Sequence, residues 1–219
     1  MNMSAYILKE IKELSLADTI ASAQSICNEI PITHIPIIEN SIFFGCFSES
    51  DIRAIENREN SIHHYKEMLL FFYANEDTNL LELITIFSDN NTNIVPVLNH
   101  AREYLGYYEL NDVLDVFSAS PFLYQQGILI TVEKLKKDFS ICETSQIVES
   151  NNAKVLGIYI SSEKADAFEV TIKVITENIN TIIQTFRRYN YHIISKHKDD
   201  SYLRDLKTRS DYLQKYLDM

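Results

Sequence analysis

Glycine is scarce in this chain of 219 residues, which holds four: Gly45, Gly106, Gly127 and Gly157. Neither a G-x-G-x-x-G nor a G-x-x-x-x-G-K segment occurs, which excludes the glycine-rich phosphate loops of dinucleotide-binding and P-loop proteins. Tryptophan is absent, and cysteine is limited to Cys27, Cys46 and Cys142. Three distant cysteines with no C-x-x-C support neither a zinc ribbon nor a disulfide framework; they fit reduced thiols in the cytoplasm. Basic residues are outnumbered, with 20 Lys and Arg against 31 Asp and Glu, for a formal net charge of −11. A field of that sign repels a nucleic-acid backbone, so no nucleic-acid partner is expected. No apolar run reaches the roughly 18 residues of a membrane span. The N-terminal "MNMSAYILKEIKELS" mixes acids with lysines and lacks the apolar core of a signal peptide.

What is present is ordinary globular material, 46% hydrophobic and 23% charged. The length suffices for two modest domains. A first helix is expected near "LADTIASAQSICNEI", where Ile20, Ala23, Cys27 and Ile30 recur at helical spacing, Ser15 and Asp18 resemble a capping pair, and Pro31 ends the run. "THIPII" reads as a buried strand, Glu39–Ser41 as a turn, "IFFGCF" as a second strand and "SESDIRAIEN" as a short helix with Ser48 at its N-cap. The polar "NRENSIHHYKEM" reads as a linker. The order then repeats: a strand in "FFYAN", a cap at Asp77 or Thr78, a helix with Leu80, Leu83, Ile84 and Phe87 on one face, the strands "NIVPVL" and "YLGYYE", and the helix "LNDVLDVF". Pro36 aligns with Pro96 at an offset of 60, and Gly45 with Gly106 and Asp51 with Asp112 at 61. Matched positions within a matched element order indicate an internal duplication.

The pattern changes at "SASPFLYQQ", residues 118–126, which reads as a domain boundary. A strand "GILITVEKL", a helix with a Ser140/Glu143 capping box, two strands "KVLGIYISS" and "FEVTIKVIT", a helix with Ile179, Ile182, Ile183 and Phe186 on one face, and a strand "YHIISKHK" follow. That β-α-β-β-α-β order is the split βαβ, or ferredoxin-like, arrangement. A charged tail closes the chain, with an apolar stripe at Tyr202, Leu206, Leu213, Tyr216 and Leu217.

The duplicated half, through "HIPIIENSIFFGCFSESDI" and "NIVPVLNHAREYLGYYELNDV", resembles a tandem pair of CBS domains, the regulatory Bateman module. The pattern shared is an apolar-Pro-apolar strand, a turn, a strand ending in Gly, then (Ser/Thr)-x-x-Asp at a helix start. The third segment resembles an ACT domain through its element order and its "LGIYIS…FEVTIKV" hairpin, and the whole order resembles bacterial CBS proteins related to the acetoin-utilisation regulator. The expected fold is thus α+β, with a tandem CBS-domain pair followed by a ferredoxin-like βαββαβ ACT-type domain. Its expected parts are an N-terminal segment 1–12, CBS repeat 1 at 13–58, a linker at 59–70, CBS repeat 2 at 71–118, the ACT-like domain at 125–198 and a helical tail at 199–219.

The resemblance implies a cleft between the repeats that binds an adenosine-containing ligand, an adenine nucleotide (AMP, ADP or ATP) or S-adenosylmethionine, in a regulatory role with no cofactor required. It places Thr33, His34, Ile35, Pro36, Gly45, Ser48 and Asp51 of the first repeat at that cleft, with Asn93, Ile94, Pro96, Gly106 and Asp112 of the second. In that reading Ser48 and the helix start meet a phosphate, Asp51 accepts the ribose hydroxyls, and Gly45 lets the strand end approach the ligand and the helix start. Repeat 2 departs from the pattern: Glu109 stands where Ser or Thr is expected, and an ionised carboxylate offers no donor to a phosphate. The first repeat is therefore expected to hold the better site. Against this stands a plain structural reading, in which Ser48 is an N-cap contributing about 1 kcal/mol and Asp51 complements a helix start.

The ACT-like segment has "EKLKKDFSICE" after its first strand, without the glycine that amino-acid-binding members carry there, so self-pairing or packing is expected of it rather than binding. His63 and Glu67 stand four apart without a third ligand, His192 and His197 are oddly spaced on a strand, and Cys142 is isolated; no metal site and no catalytic constellation follows. The expected function is a non-catalytic, cytoplasmic regulatory homodimer; the alternatives are a scaffold with vestigial sites and an unrecognised enzyme.

Overall fold

A computed structural model of the chain describes residues 3–197, so the tail stripe from Tyr202 to Leu217 lies outside the described residues. The chain divides into two compact units, Met1–Ala119 and Ser120–Met219. The fold is mixed α+β.

In the first unit, α1 spans Ile20–Glu29 and buries Ile20, Ala23, Ile26 and Cys27. Its N-cap is Thr19, whose side chain accepts from the Ser22 N–H. The expected pair Ser15 and Asp18 forms the preceding turn instead, with Ser15 N–H and Oγ–H both donating to Asp18 Oδ2. Strands β1 (His34–Glu39) and β2 (Ile42–Ser48) pair antiparallel through a two-residue turn, Asn40 and Ser41, both at positive φ as tight hairpins require. Helix α2 runs Glu49–Ala54.

Residues 59–70 are more than the polar linker expected. A 3₁₀ segment Ile62–Met68 places Ile62 fully in the core, and Leu70 pairs with Cys46 of β2. The second repeat follows, with β3 (Ala74–Asn75), α3 (Leu80–Asp89), β4 (Ile94–Leu98), β5 (Tyr104–Glu109) and α4 (Leu110–Ser118). The cap of α3 is Asn79, in a capping box with Glu82, not Asp77 or Thr78. Thr78 Oγ1 is engaged instead by the Asn75 N–H.

The duplication is visible in the packing. Residues 31–38 and 91–98 carry the same burial sequence, position for position. Both hairpins slip register at the equivalent place, between Ile37 and Ile38 and between Val97 and Leu98. Gly45 and Gly106 sit opposite those slips at φ +142° and +145°, a conformation an L side chain rarely adopts. What crowds each glycine is a strap of chain from in front of the other repeat. Residues 69–70 lie against Gly45, and residues 7–8 lie against Gly106, where a Cβ would stand 2.3 Å from the Leu8 carbonyl oxygen. Each strap then runs on beside the first strand of its own repeat, Leu14 against Ile37 and β3 against β4, both parallel. The N-terminal segment is thus part of the first unit; Met3 is buried beside Val95 and Val97.

In the second unit, the short helix α5 (Pro121–Tyr124) precedes β6 (Ile128–Leu135), α6 (Ile141–Glu149), β7 (Lys154–Glu163), β8 (Ala167–Ile175), α7 (Ile179–Arg188) and β9 (His192–Ile193). The four strands form one antiparallel sheet in the order β7-β8-β6-β9. The last strand is two residues long, shorter than "YHIISKHK" suggests. Ser140 caps α6 by accepting from the Glu143 N–H, but the Glu143 carboxylate turns to the Tyr191 hydroxyl, so the capping box is half formed. The core combines Ile130, Val132, Val170, Ile172 and Val174 of the sheet with Ile147, Val148, Ile182, Ile183 and Phe186 of the two helices.

Candidate functional site

Two clefts in the first unit are built by the same rule. Each takes the start of the first strand and the start of the following helix from one repeat, and the turn leading into the first strand from the other. Cleft 1, about 430 Å³, is lined by Thr33, His34, Ser48, Glu49, Ser50, Asp51, Leu70, Asn90 and Asn91. Cleft 2, about 180 Å³, is lined by Ile30, Pro31, Ile32, Asn93, Ile94, Glu109, Leu110 and Asn111. The second repeat's Asn90 and Asn91 occupy in cleft 1 the place that Ile30 and Pro31 occupy in cleft 2.

The two repeats are tied at the midline between the clefts. Thr33 and Asn93, equivalent by the offset of 60, bond to each other: Thr33 N–H and Oγ1–H donate to Asn93 Oδ1, and Asn93 N–H donates to Thr33 Oγ1. Asn93 Nδ2 also donates to the Pro31 carbonyl. The helix starts are tied the same way, Glu49 N–H to the Thr33 carbonyl and Leu110 N–H to the Asn93 carbonyl.

In cleft 1, Ser48 is 8% exposed. Its Oγ accepts from the Asp51 N–H at 3.1 Å and donates to Asp51 Oδ2 at 2.6 Å, with Ser50 Oγ 3.0 Å away. His34 is 6% exposed, with Phe72 edge-on at a centroid distance of 5.3 Å. Burial lowers its pKa, against a weaker upward pull from Asp51, so the ring stays neutral at physiological pH. Its Nδ1 lies 3.0 Å from Thr33 Oγ1.

Cleft 2 differs in kind. Glu109 is the N-cap residue of α4 but makes no side-chain cap bond. Burial, Asp112 and Glu10 together raise its pKa, because ionisation there places one carboxylate among others.

Of the residues selected from sequence, Thr33, His34, Ser48 and Asp51 line cleft 1, and Asn93 and Ile94 line cleft 2. Ile35, Pro36 and Pro96 are buried in their strands. Gly45 and Gly106 face the crossing straps, so the close approach they permit is of backbone to backbone. Asp112 lies in the first turn of α4 and is not among the residues lining cleft 2. Sequence reasoning missed Ser50, Asn90 and Asn91. The signal for the asparagines was the duplication itself, since an offset of 60 sets the pair "NN" against "IP" at the same point of the other repeat.

Among the described residues no group of three or more His, Cys, Asp or Glu could hold a metal ion, and no helix is long and apolar enough to cross a membrane.

Residues 71–119, the second repeat, match the family model of the CBS domain. No curated protein matches the chain. Similar solved structures include a CBS domain pair/ACT domain protein from Thermotoga maritima, at 13% identity and a TM-score of 0.48 over 53% of this chain and 96% of that one. CBSX2, solved in complex with AMP, is similar at 13% identity and a TM-score of 0.45 over 53% of this chain and 95% of that one. A CBS domain pair solved with 5′-methylthioadenosine and S-adenosyl-L-methionine is similar at 21% identity and a TM-score of 0.45 over 54% of this chain and 96% of that one.

Proposed function

We propose that the chain is a non-catalytic regulatory protein whose two repeats, 13–58 and 71–118, form a CBS pair that binds one adenosine-containing small molecule in cleft 1. The observation that carries this reading is that cleft 1 is assembled from both repeats and holds Ser48 and Asp51 beside a buried imidazole. A ligand there touches the start of α2 in one repeat and Asn90–Asn91 in the other. Its binding free energy is therefore coupled to the arrangement of the pair, by no more than its preference for one arrangement over another. A homodimer transmits that arrangement in this reading, and residues 125–198 serve as an ACT-type domain that pairs or packs rather than binds an amino acid. The site lies in the cytoplasm. Cleft 2, smaller, walled by Ile30, Pro31, Ile32, Ile94 and Leu110 and bearing Glu109, stays empty.

Calorimetry of the full chain against AMP, ADP, ATP and S-adenosylmethionine tests the proposal. Heat with a stoichiometry of one is expected from at least one of them. Asp51→Ala should weaken binding about tenfold or more, the cost of roughly one charged hydrogen bond, and Asp112→Ala should leave it within about twofold. A larger loss at Asp112 would reverse the assignment of the site.

A second reading, a scaffold with vestigial sites, is favoured by one specific feature: Ser48 and Asp51 already satisfy each other at 2.6 Å. No heat and no thermal shift with any adenosyl compound would establish it.

A further inference from the structure

We propose that cleft 1 sorts adenosine-containing ligands by charge, accepting an uncharged nucleoside or a cationic sulfonium and rejecting a 5′-phosphate. The inference rests on the adenosyl reading above and narrows it.

No Lys or Arg is among the nine residues lining the cleft, whereas Glu49 and Asp51 are. The nearby guanidinium of Arg53 is committed elsewhere. Its Nε donates to Glu49 at 2.8 Å, Nη1 to Asn28 Oδ1 and Nη2 to the Cys27 carbonyl. Arg53 thereby offsets the Glu49 charge and leaves that of Asp51 uncompensated. Three of the donors at the start of α2 are also in use. Glu49 N–H goes to the Thr33 carbonyl, Asp51 N–H to Ser48 Oγ, and the Ser48 hydroxyl proton to Asp51.

The charged groups that the cleft presents are acceptors only: the carboxylates of Glu49 and Asp51, the latter already holding one proton donor. An acceptor wall attracts ribose hydroxyls and amino groups, and it repels a dianion. The side-chain donors lining it, the amides of Asn90 and Asn91, are neutral. They can orient a ligand but cannot offset two negative charges.

The test is parallel calorimetry of the full-length chain with adenosine, AMP and S-adenosylmethionine at pH 7.5, where the phosphate of AMP is close to fully ionised. AMP is expected to bind at least tenfold more weakly than adenosine. In Asp51→Asn the gap should shrink several-fold, since the substitution removes the uncompensated charge and keeps the shape. AMP binding as tightly as adenosine, or more tightly, in the native chain overturns charge sorting while leaving the adenosyl reading in place. A gap unchanged in Asp51→Asn overturns it as well. Failure of all three compounds to bind removes the adenosyl reading, and charge sorting with it.

Discussion

Tyr191 shows how one side chain sets the behaviour of the second unit. Its ring is 3% exposed and packs on Phe186, with Lys134 Nζ 4.2 Å above it, and its hydroxyl donates to Glu143 at 2.9 Å. Burial and the Glu143 carboxylate favour the neutral phenol and raise the pKa to about 12, against a smaller lowering by Thr144. A raised pKa means that the stabilisation is fully present below the unfolded value of about 10. It is lost as the pH climbs from there toward 12. Urea unfolding of the second unit, followed between pH 9 and 12, should show stability falling across that window. Tyr191→Phe should make the fall shallower, at a cost of about 1 kcal/mol at neutral pH from the lost hydrogen bond. A dependence equally steep in the variant would place the titration on another group. Little of this was readable from "RRYNYHIIS" alone, because the charged partners of Tyr191, Glu143 and Lys134, are supplied by α6 and β6, more than forty residues away.

At the scale of elements, the strand–strand–helix repeat was legible because its signals are local. Pro36 and Pro96 mark the first strands, Ser48 caps α2, and the tight turn at Asn40–Ser41 closes the hairpin. What was not legible is what the glycines face. Gly45 and Gly106 look like the mouths of ligand sites when only their own repeat is read, yet each is a bulge position pressed by a strap from elsewhere in the chain. The two positions are not equally tight. A Cβ at Gly106 would meet the Leu8 carbonyl oxygen at 2.3 Å, whereas one at Gly45 would meet Leu69 Cβ at 3.0 Å. Both alanine substitutions carry backbone strain of about 1–3 kcal/mol. Gly106→Ala adds displacement of the strap and should be the more destabilising in equilibrium unfolding. Equal losses would mean that the strap at residues 7–8 yields without cost.

For the first unit as a whole, the two repeats are not two bodies set side by side. One core joins Leu14, Ile20, Ile35 and Phe47 to Ile94 and Tyr107, and the other joins Ile38, Phe43 and Cys46 to Val95, Val97 and Tyr108. A chain beginning at residue 10 should therefore lose stability in the second repeat, by about 2–5 kcal/mol for the loss of the buried Met3 side chain and more for the strand pairing of Leu8. Thermal unfolding of that truncated chain checks this; an unchanged midpoint would show the strap to be dispensable. The family resemblance pointed to the segments that border the two clefts, but the sharing of cores depends on contacts between segments some sixty residues apart, and no local pattern encodes those.

The crossed straps also bear on how the protein is made. When the first repeat has left the ribosome, β2 still lacks the backbone partner that residues 69–70 supply, and the segment at Leu8 has nothing to pair with until β5 is synthesised. Each half of the nascent chain waits on the other with an open strand edge, the form in which chains pair with the wrong neighbour. The heritable unit is consequently the couple. A single repeat, cut out or fused elsewhere, would carry one strap with no strand to receive it and one strand with no strap.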